Sequence, residues 1–211
     1  MKCFLQRINF RECRDILRFV NAIVFAWLYI PHLCILFWDK KTYLILKEDV
    51  MRHRLYMSIS PCLKILYFIH NDRFFRTLFY HRIGPIKALL IGWWRPGDKY
   101  FEISKTTDIG PGAYFAHPFS TVINAKSIGK NFSCRHITTI GNKNDGKNDQ
   151  RPVIGDFVTL GVNVSIIGPV RIGNNVIIGA GSVVVNDIPD NCVAVGNPAK
   201  FIKALNNRMS L

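Results

Sequence analysis

Aliphatic residues recur at every sixth position between residues 154 and 185, and this six-residue period dominates the pattern of the chain. Six matches neither the period of an α-helix, about 3.6, nor that of a strand, about 2. The register passes through Ile154, Leu160, Ile166, Ile172, Ile178 and Val184. Glycine follows several of these residues, so each hexad is interpreted as a short strand and a turn. Stacked hexads predict a parallel β-helix around a continuous aliphatic core.

The same period extends the predicted β-helix back to about residue 101. Ile103, Ile109 and Phe115 are six apart, and one extra residue near Thr121 then shifts the register, so we expect a bulge there. After the shift the pattern continues through Val122, Ile128, Cys134 and Ile140. Residues 142–153, NKNDGKNDQRPV, are polar and too many for a hexad. They predict a protruding loop, which is either a solvated excursion or a place for binding groups.

Residues before 101 follow a helical pattern. The longest apolar run, residues 16–38, would span about 35 Å as a helix, which is enough for a bilayer. Arg18 and Asn21 lie near one end, and Pro31 with His32 interrupts the run, which favours a buried or interfacial helical hairpin over a membrane span. The sequence therefore predicts an α-helical domain at 1–100, a β-helix domain at 101–205 and a polar tail at 206–211.

Composition and charge add an expectation about partners. The chain has 211 residues, 49% of them apolar, and a net charge of +14. Residues 1–100 hold 17 Lys/Arg against 7 Asp/Glu and all four tryptophans. We therefore expect peripheral contact of residues 16–38 with the inner face of a membrane. We expect no nucleic acid, because no recognisable module accompanies the charge. The six scattered cysteines fit a reducing, cytoplasmic compartment.

Two histidines fall within the predicted β-helix. His117 and His136 occupy the third place of their hexads and are 19 residues apart. This spacing puts them on the same face of adjacent coils, about 5 Å apart along the axis. We expect no metal, because the pattern supplies no third ligand for zinc. Imidazole titrates near neutral pH and suits a general base.

The repeat resembles the hexapeptide-repeat acyltransferases, whose fold is a left-handed parallel β-helix. Crossovers between parallel strands are usually right-handed, so the predicted hand rests on the resemblance alone. The span EISKTTDIGPGAYFAH is similar to serine acetyltransferases, which place an acidic residue and a histidine 15 positions apart there. The resemblance covers about residues 95–203. It implies that His117 is the general base and that Glu102 orients its imidazole.

The resemblance also implies the donor, acetyl-CoA, as co-substrate. Residues 196–200, GNPAK, are similar to the G-x-P-A-[KR] turn that closes the β-helix beside coenzyme A in that family. The arm of the donor would lie between subunits of a homotrimer. By position it would be lined by Gly161, Val162, Gly179, Ala180 and Lys200. Small residues are also what the corners of the repeat need.

The resemblance implies a hydroxyl compound as the acceptor, and the loop is the predicted place for it. The residues predicted to bind it are Asp149, Gln150, Arg151 and His136. The serine enzymes place Asp where this chain has Ala116, and Arg-His where it has Gln150-Arg151, so the groups that would hold free serine are altered. We therefore predict an O-acetyltransferase acting on a sugar in capsular or exopolysaccharide biosynthesis. A serine O-acetyltransferase of cysteine biosynthesis, and a non-enzymatic β-helix scaffold with a membrane- or anion-binding helical domain, are the alternatives.

Overall fold

The computed structural model describes residues 10–55, 57–143 and 149–205, in which helices are followed by strands. The predicted polar tail and the middle of the loop at 142–153 lie outside the described residues. The helices are α1 (Phe10–Val24), α2 (Ile30–Trp38), α3 (Lys40–Met51), α4 (Pro61–Asn71), α5 (Arg73–Ile83) and α6 (Pro85–Ile91), with a 3₁₀ turn at Ala26–Tyr29.

Side-chain caps explain where three of these helices begin. Asp39 accepts a hydrogen bond from the amide of Thr42 at the start of α3. Ser60 and Asp72 cap α4 and α5 in the same way. Each cap satisfies amide donors of the first turn that have no partner within the helix. These three helices therefore begin where short polar residues interrupt the apolar pattern.

The apolar run at residues 16–38 forms a bent pair rather than one helix. The break falls at the 3₁₀ turn, and Pro31 lies in the first turn of α2, where proline is tolerated. No single described helix is long and apolar enough to cross a membrane; α1 and Ala26–Trp38 pass that test only together, with a bend of 68° between them. The predicted membrane contact gains no support from this finding.

The second part of the chain is a solenoid of about five turns. Its strands form three parallel sheets, which are the three faces of a prism. The first face contains β1 (Phe101–Ile103), β4 (Thr121–Ile123), β7 (Thr139–Gly141), β10 (Ser165–Ile167) and β13 (Val183–Val184). The second contains β2 (Asp108–Ile109), β5 (Ser127–Ile128), β8 (Val153–Ile154) and β11 (Arg171–Ile172). The third contains β3 (Tyr114–Ala116), β6 (Ser133–Arg135), β9 (Thr159–Leu160), β12 (Val176–Ile178), β14 (Cys192–Gly196) and the antiparallel β15 (Ala199–Ala204).

The predicted inward register is confirmed over the central repeat. All six landmark residues from Ile154 to Val184 are at most 3% exposed and form one core with their neighbours from other coils. Upstream, however, the prediction for Val122 is wrong. Val122 is 42% exposed, whereas Ile123 is fully buried and follows Phe115 by eight positions. The corner between β3 and β4 is two residues longer than a hexad allows, and the interval from Ile123 to Ile128 is one residue shorter.

The predicted bulge at Thr121 is wrong for the same reason. Thr121 pairs in regular register with Phe101, and no bulge interrupts β4. The extra residues are taken up in the preceding corner, where His117 and Ser120 have φ angles of 52° and 53°. Left-handed backbone turns the chain sharply within a few residues. The insertion therefore lengthens a corner and leaves the strand intact.

A buried ion pair joins the helices to the first coil of the solenoid. Arg82 of α5 donates to Asp49 of α3 at 2.9 and 3.1 Å, to the carbonyl of Gly110 at 2.8 Å and to the carbonyl of Ile109. Asp49 in turn accepts from the amide of Ala113 at 2.8 Å. The two side chains are 5% and 0% exposed. This pair fixes α3 and α5 against the corner that begins β3.

Candidate active site

His117 and His136 lie on adjacent coils at the corner that leads from the third face of the prism to the first. Strands β3 and β6 are parallel and in register up to Ala116 and Arg135, so the two histidines follow equivalent positions. Neighbouring strands are about 4.8 Å apart. The geometry therefore brings both imidazoles to one edge of the solenoid.

The backbone of the first corner presents His117 to solvent. Its φ of 52° is in the left-handed region, and its carbonyl accepts from the amide of Phe119 at 2.7 Å. The residue is exposed and contributes to the walls of two cavities of about 410 and 320 Å³. A side chain so placed is accessible to a substrate hydroxyl.

Glu102 does not pair with His117 within this chain. Glu102 lies on the outward side of β1, opposite Val122, and among the described residues it makes no hydrogen bond or ion pair with His117. The physical reason is that Glu102 projects from the first face, whereas His117 lies beyond the end of the third face. The predicted orienting role of Glu102 is therefore not met by the geometry of one chain.

Asp72 is a carboxylate that the sequence reasoning missed. It lines both cavities that His117 lines. Its Oδ1 accepts from the amides of Phe74 and Phe75 at 2.8 and 3.2 Å, as the cap of α5. The capping pattern predicts a helix start at this position, but it does not predict which part of the β-helix the cap faces.

Four of the five residues predicted for the donor, all except Lys200, lie along the same corner as the histidines. The amide of Asn163 donates to the carbonyl of His136 at 3.1 Å, and the amide of Gly181 donates to the carbonyl of Val162 at 2.9 Å. These contacts stack the corners into a column, which we call the corner column and which contains His117, His136, Gly161, Val162, Gly179 and Ala180.

Two glycines of the corner column are required by close packing. A Cβ at Gly161 would meet the amide of Ala180 at 2.6 Å, and one at Gly179 would meet Val195 Cγ1 at 2.4 Å. Lys200, on β15, pairs with Val195 and is exposed. The column therefore presents backbone and small side chains, and the cationic side chain of Lys200 lies at its C-terminal end.

The loop residues lie at a different corner. Arg151 Nη1 donates to Thr106 Oγ1 at 2.7 Å and to Asn124 Oδ1 at 3.3 Å, at the corner between the first and second faces. The carbonyl of Asp149 accepts from the amide of Arg151 at 2.9 Å, and Gln150 between them is half-buried. One chain therefore does not bring Asp149, Gln150 or Arg151 into the corner column.

A cluster of basic residues from the helical half of the chain lies near His117. Arg73, Arg76 and Arg95 share the wall of the 410 Å³ cavity with His117. Burial lowers the pKa of Arg76, and the neighbouring charge of Arg95 lowers it further. Burial also lowers the pKa of His70, with Arg95 and Arg76 adding to the effect, so His70 is neutral near pH 7.

Among the described residues, no group of His, Cys, Asp and Glu side chains has the arrangement of a metal site.

Residues 151–186 match the family described as bacterial transferase hexapeptide (six repeats). WcaB of Escherichia coli strain K12, named as an acetyltransferase of colanic acid biosynthesis, is 43% identical over 101 residues, which are 47% of this chain and 62% of WcaB. Serine acetyltransferase 3, mitochondrial, of Arabidopsis thaliana is 39% identical over 100 residues, which are 47% of this chain and 26% of that protein. The match thus spans less than two thirds of the length of either curated relative.

Solved structures are similar over more of the chain. Serine acetyltransferase of Neisseria gonorrhoeae gives a TM-score of 0.58 at 26% identity, over 85% of this chain and 72% of that one. Serine acetyltransferase of Brucella abortus strain S19, in complex with coenzyme A, gives a TM-score of 0.63 at 17% identity, over 96% and 85%. These similarities confirm the predicted left-handed β-helix after an N-terminal helical region.

Proposed function

We propose that this chain, a serine acetyltransferase-like member of the hexapeptide-repeat proteins, transfers the acetyl group of acetyl-CoA to a hydroxyl acceptor. The observation that carries the proposal is the corner column, in which an exposed histidine stands at one end of a run of small residues and backbone. Such a run suits a long, flexible arm that is held mainly by backbone contacts. The names of WcaB and of serine acetyltransferase 3, at 43 and 39% identity, support an acetyl donor. An acetyl-CoA donor would place the reaction in the cytoplasm.

His117 would act as the general base. Its imidazole takes the proton from the acceptor hydroxyl while the hydroxyl oxygen forms a bond to the thioester carbonyl carbon. Backbone amides of the corner column would donate to the resulting oxyanion. The carbon–sulfur bond then breaks, and the imidazolium returns its proton to the departing sulfur. The acetyl group passes directly between the substrates, so no covalent intermediate with the protein is needed.

We assign Asp72 as the carboxylate that orients His117. Within one chain, Asp72 shares both cavities with His117, and its Oδ1 is held by two amides of α5. A carboxylate near the imidazolium stabilises the charge that forms during proton transfer. Glu102 fills this role only if it approaches His117 from a second copy of the chain.

A second copy would also complete the acceptor site. The described loop residues Asp149, Gln150 and Arg151 lie at a corner other than that of His117. Three copies around an axis parallel to the prism would bring the loop of one chain to the corner column of the next. The exposed faces of the solenoid would be covered in the same assembly. We therefore propose a homotrimer with its active sites between subunits.

The acceptor is proposed to be a sugar hydroxyl of capsular or exopolysaccharide synthesis. Two observations support this choice: Ala116 stands before His117 and brings no charge for an ammonium group, and WcaB bears a name from colanic acid biosynthesis. Free serine is the second candidate. It is favoured by the guanidinium of Arg151 and by the solved relative from Neisseria gonorrhoeae in complex with serine, at 28% identity.

The test replaces His117 by Asn, a residue that tolerates its positive φ. We expect the rate of acetyl transfer to fall by about 10² to 10⁴, the typical contribution of a general base. Binding of desulfo-coenzyme A, measured by calorimetry, should be unchanged because the column backbone is intact. Serine, free sugars, nucleotide sugars and oligosaccharides serve as acceptors. An unchanged rate in His117→Asn would contradict the assignment and direct attention to His136.

A further inference from the structure

One cavity beside His117 contains several arginines that have no role in the proposed acetyl transfer. It has a volume of about 410 Å³ and lies between the α4–α5 junction and the first coil of the solenoid. Its walls include His70, Asp72, Arg73, Arg76, Arg95 and His117. The volume lies within the range of small-molecule sites, about 300 to 1,000 Å³. The cavity therefore has room for a sugar-sized group next to the proposed base.

The arginines of this cavity are not equivalent. Arg73 is paired with Asp98, with Nε and Oδ2 2.7 Å apart. Arg76 and Arg95 make no ion pair with any described residue and donate to carbonyls instead. Asp72, the one carboxylate among the walls named here, already accepts two amide hydrogen bonds as the cap of α5. Asp72 also attracts the charge of Arg76, so among these walls one carboxylate faces the two guanidinium groups of Arg76 and Arg95, and an excess of positive charge remains.

The carbonyl contacts hold these two guanidinium groups in place. Arg76 donates to the carbonyls of Pro96, Ile69 and His70 at 2.8 to 3.1 Å, and Arg95 donates to the carbonyl of His70 at 2.9 Å. The Nε of Arg95 is buried and has no partner among the described residues.

We propose that this cavity binds an anionic group, a phosphate or a carboxylate, carried by the hydroxyl acceptor. The proposal rests on the proposed acetyl transfer and narrows its acceptor to an anionic sugar. Guanidinium groups bind phosphate and carboxylate oxygens in pairs and with defined geometry. Because the arginines are already oriented by carbonyls, little side-chain entropy is lost on binding. His117 lines the same cavity, so a hydroxyl on the held sugar is directed to the base.

The experiment compares matched acceptors in the full chain: methyl glucoside as the neutral sugar, methyl glucuronoside as the carboxylate and glucose 1-phosphate as the phosphate. We expect a kcat/KM at least tenfold higher for one of the two anionic sugars, and the preferred one identifies the anion. The variant Arg95→Gln should raise the KM for that sugar tenfold or more and leave the KM for methyl glucoside unchanged. Equal kcat/KM values for the three sugars would overturn the proposal.

Lys99→Gln is the matched control. It makes the same change of charge four residues along the chain, at an exposed side chain whose Nζ lies over the ring of Tyr100 at 4.7 Å, outside this cavity. Its KM values should equal those of the unaltered chain. Arg95→Lys keeps the charge without the planar fork and should give an intermediate KM. If Lys99→Gln raised the KM as much as Arg95→Gln, the increase would come from the lower net positive charge of the protein and not from a contact in this cavity, and the proposal would be wrong.

Two further readouts separate this proposal from the proposed function. Thermal protection by inorganic phosphate should be present in the unaltered chain and lost in Arg95→Gln, whether or not any acceptor is acetylated. If no acceptor is acetylated but phosphate protection depends on Arg95, the acetyl transfer is wrong and the anion site stands. If Arg95→Gln instead weakens desulfo-coenzyme A at least tenfold with unchanged acceptor KM, the cavity serves the donor and the proposal fails.

Discussion

Replacing Arg82 by Met tests whether the buried ion pair holds the helices on the β-helix. The change removes both hydrogen bonds to Asp49 and those to the carbonyls of Ile109 and Gly110. Asp49 would remain fully buried, with the backbone amides of Ala113 and Gly112 as its hydrogen-bond donors. Breaking a buried pair by removing one partner costs about 3 to 5 kcal/mol.

The same cost can be expressed as a melting temperature. In a chain of this size each kcal/mol lowers the melting temperature by about 2 to 4 °C, so Arg82→Met should lower it by about 6 to 20 °C. The loss should be smaller at acid pH. Burial raises the pKa of Asp49, and Arg82 opposes that rise, so the unpaired carboxyl of the variant becomes neutral more readily as pH falls.

Urea unfolding at one fixed protein concentration is the assay. All four tryptophans lie in the first 100 residues and report on the helices, while circular dichroism near 218 nm reports on the strands. Lys87→Met is the matched control, because it removes an ion pair to Asp39 whose side chains are 45% and 31% exposed. Exposed pairs contribute about 0 to 1 kcal/mol. Equal losses in Arg82→Met and Lys87→Met would refute the reasoning.

Three further predictions concern the whole chain. Burial lowers the pKa values of His32 and His53 to about 4, so both are neutral in the folded state at pH 7. The stability they contribute is present above their unfolded pKa of about 6.5 and is lost as pH falls toward 4, by roughly 1.4 kcal/mol per unit for each; a midpoint of urea unfolding that stays constant from pH 7 to 4.5 would contradict this. Burial raises the pKa of Cys134, so the folded chain should be alkylated at the exposed Cys13 and Cys62 well before Cys134, as mass spectrometry of peptides can measure. Sedimentation equilibrium should give three times the chain mass of 24.2 kDa, and a monomer at micromolar concentration would exclude both the trimer and the intersubunit site.

The sequence was sufficient to predict the β-helix because each hexad repeats the same physical requirement. Residues such as Ile166 and Ile178 must be aliphatic to fill the core, and both are fully buried. The period failed at Val122 because Ile123 beside it is equally apolar, so hydrophobicity alone did not identify which of the two points inward. The handedness also came from resemblance, since the period is the same for either hand.

The candidate site was predictable only in part, for a similar reason. His117 and His136 were placed by counting, because the distance between coils depends on local repeats alone. The cavity beside His117 joins residues near 70 to 76, 95 and 117, and their proximity depends on how the helices pack on the first coil. Nothing in a local pattern predicts that packing, so Arg76 and Arg95 were interpreted only as members of a basic helical domain.

The packing of the helices on the solenoid separates the proposed acceptor site from the proposed donor site. Helix α5 carries Arg82, which anchors it to the solenoid, and Arg76, which lines the anion cavity six residues earlier, about 9 Å along the helix. A shift of α5 would therefore move the cavity relative to His117. The corner column, from His136 to Ala180, is built from later coils whose hydrogen bonds are made within the solenoid. Substitutions in the helices should thus change which acceptor is preferred and leave the affinity for the donor unchanged. This result is expected if the helices bind the acceptor, and it is not expected if the loop binds it.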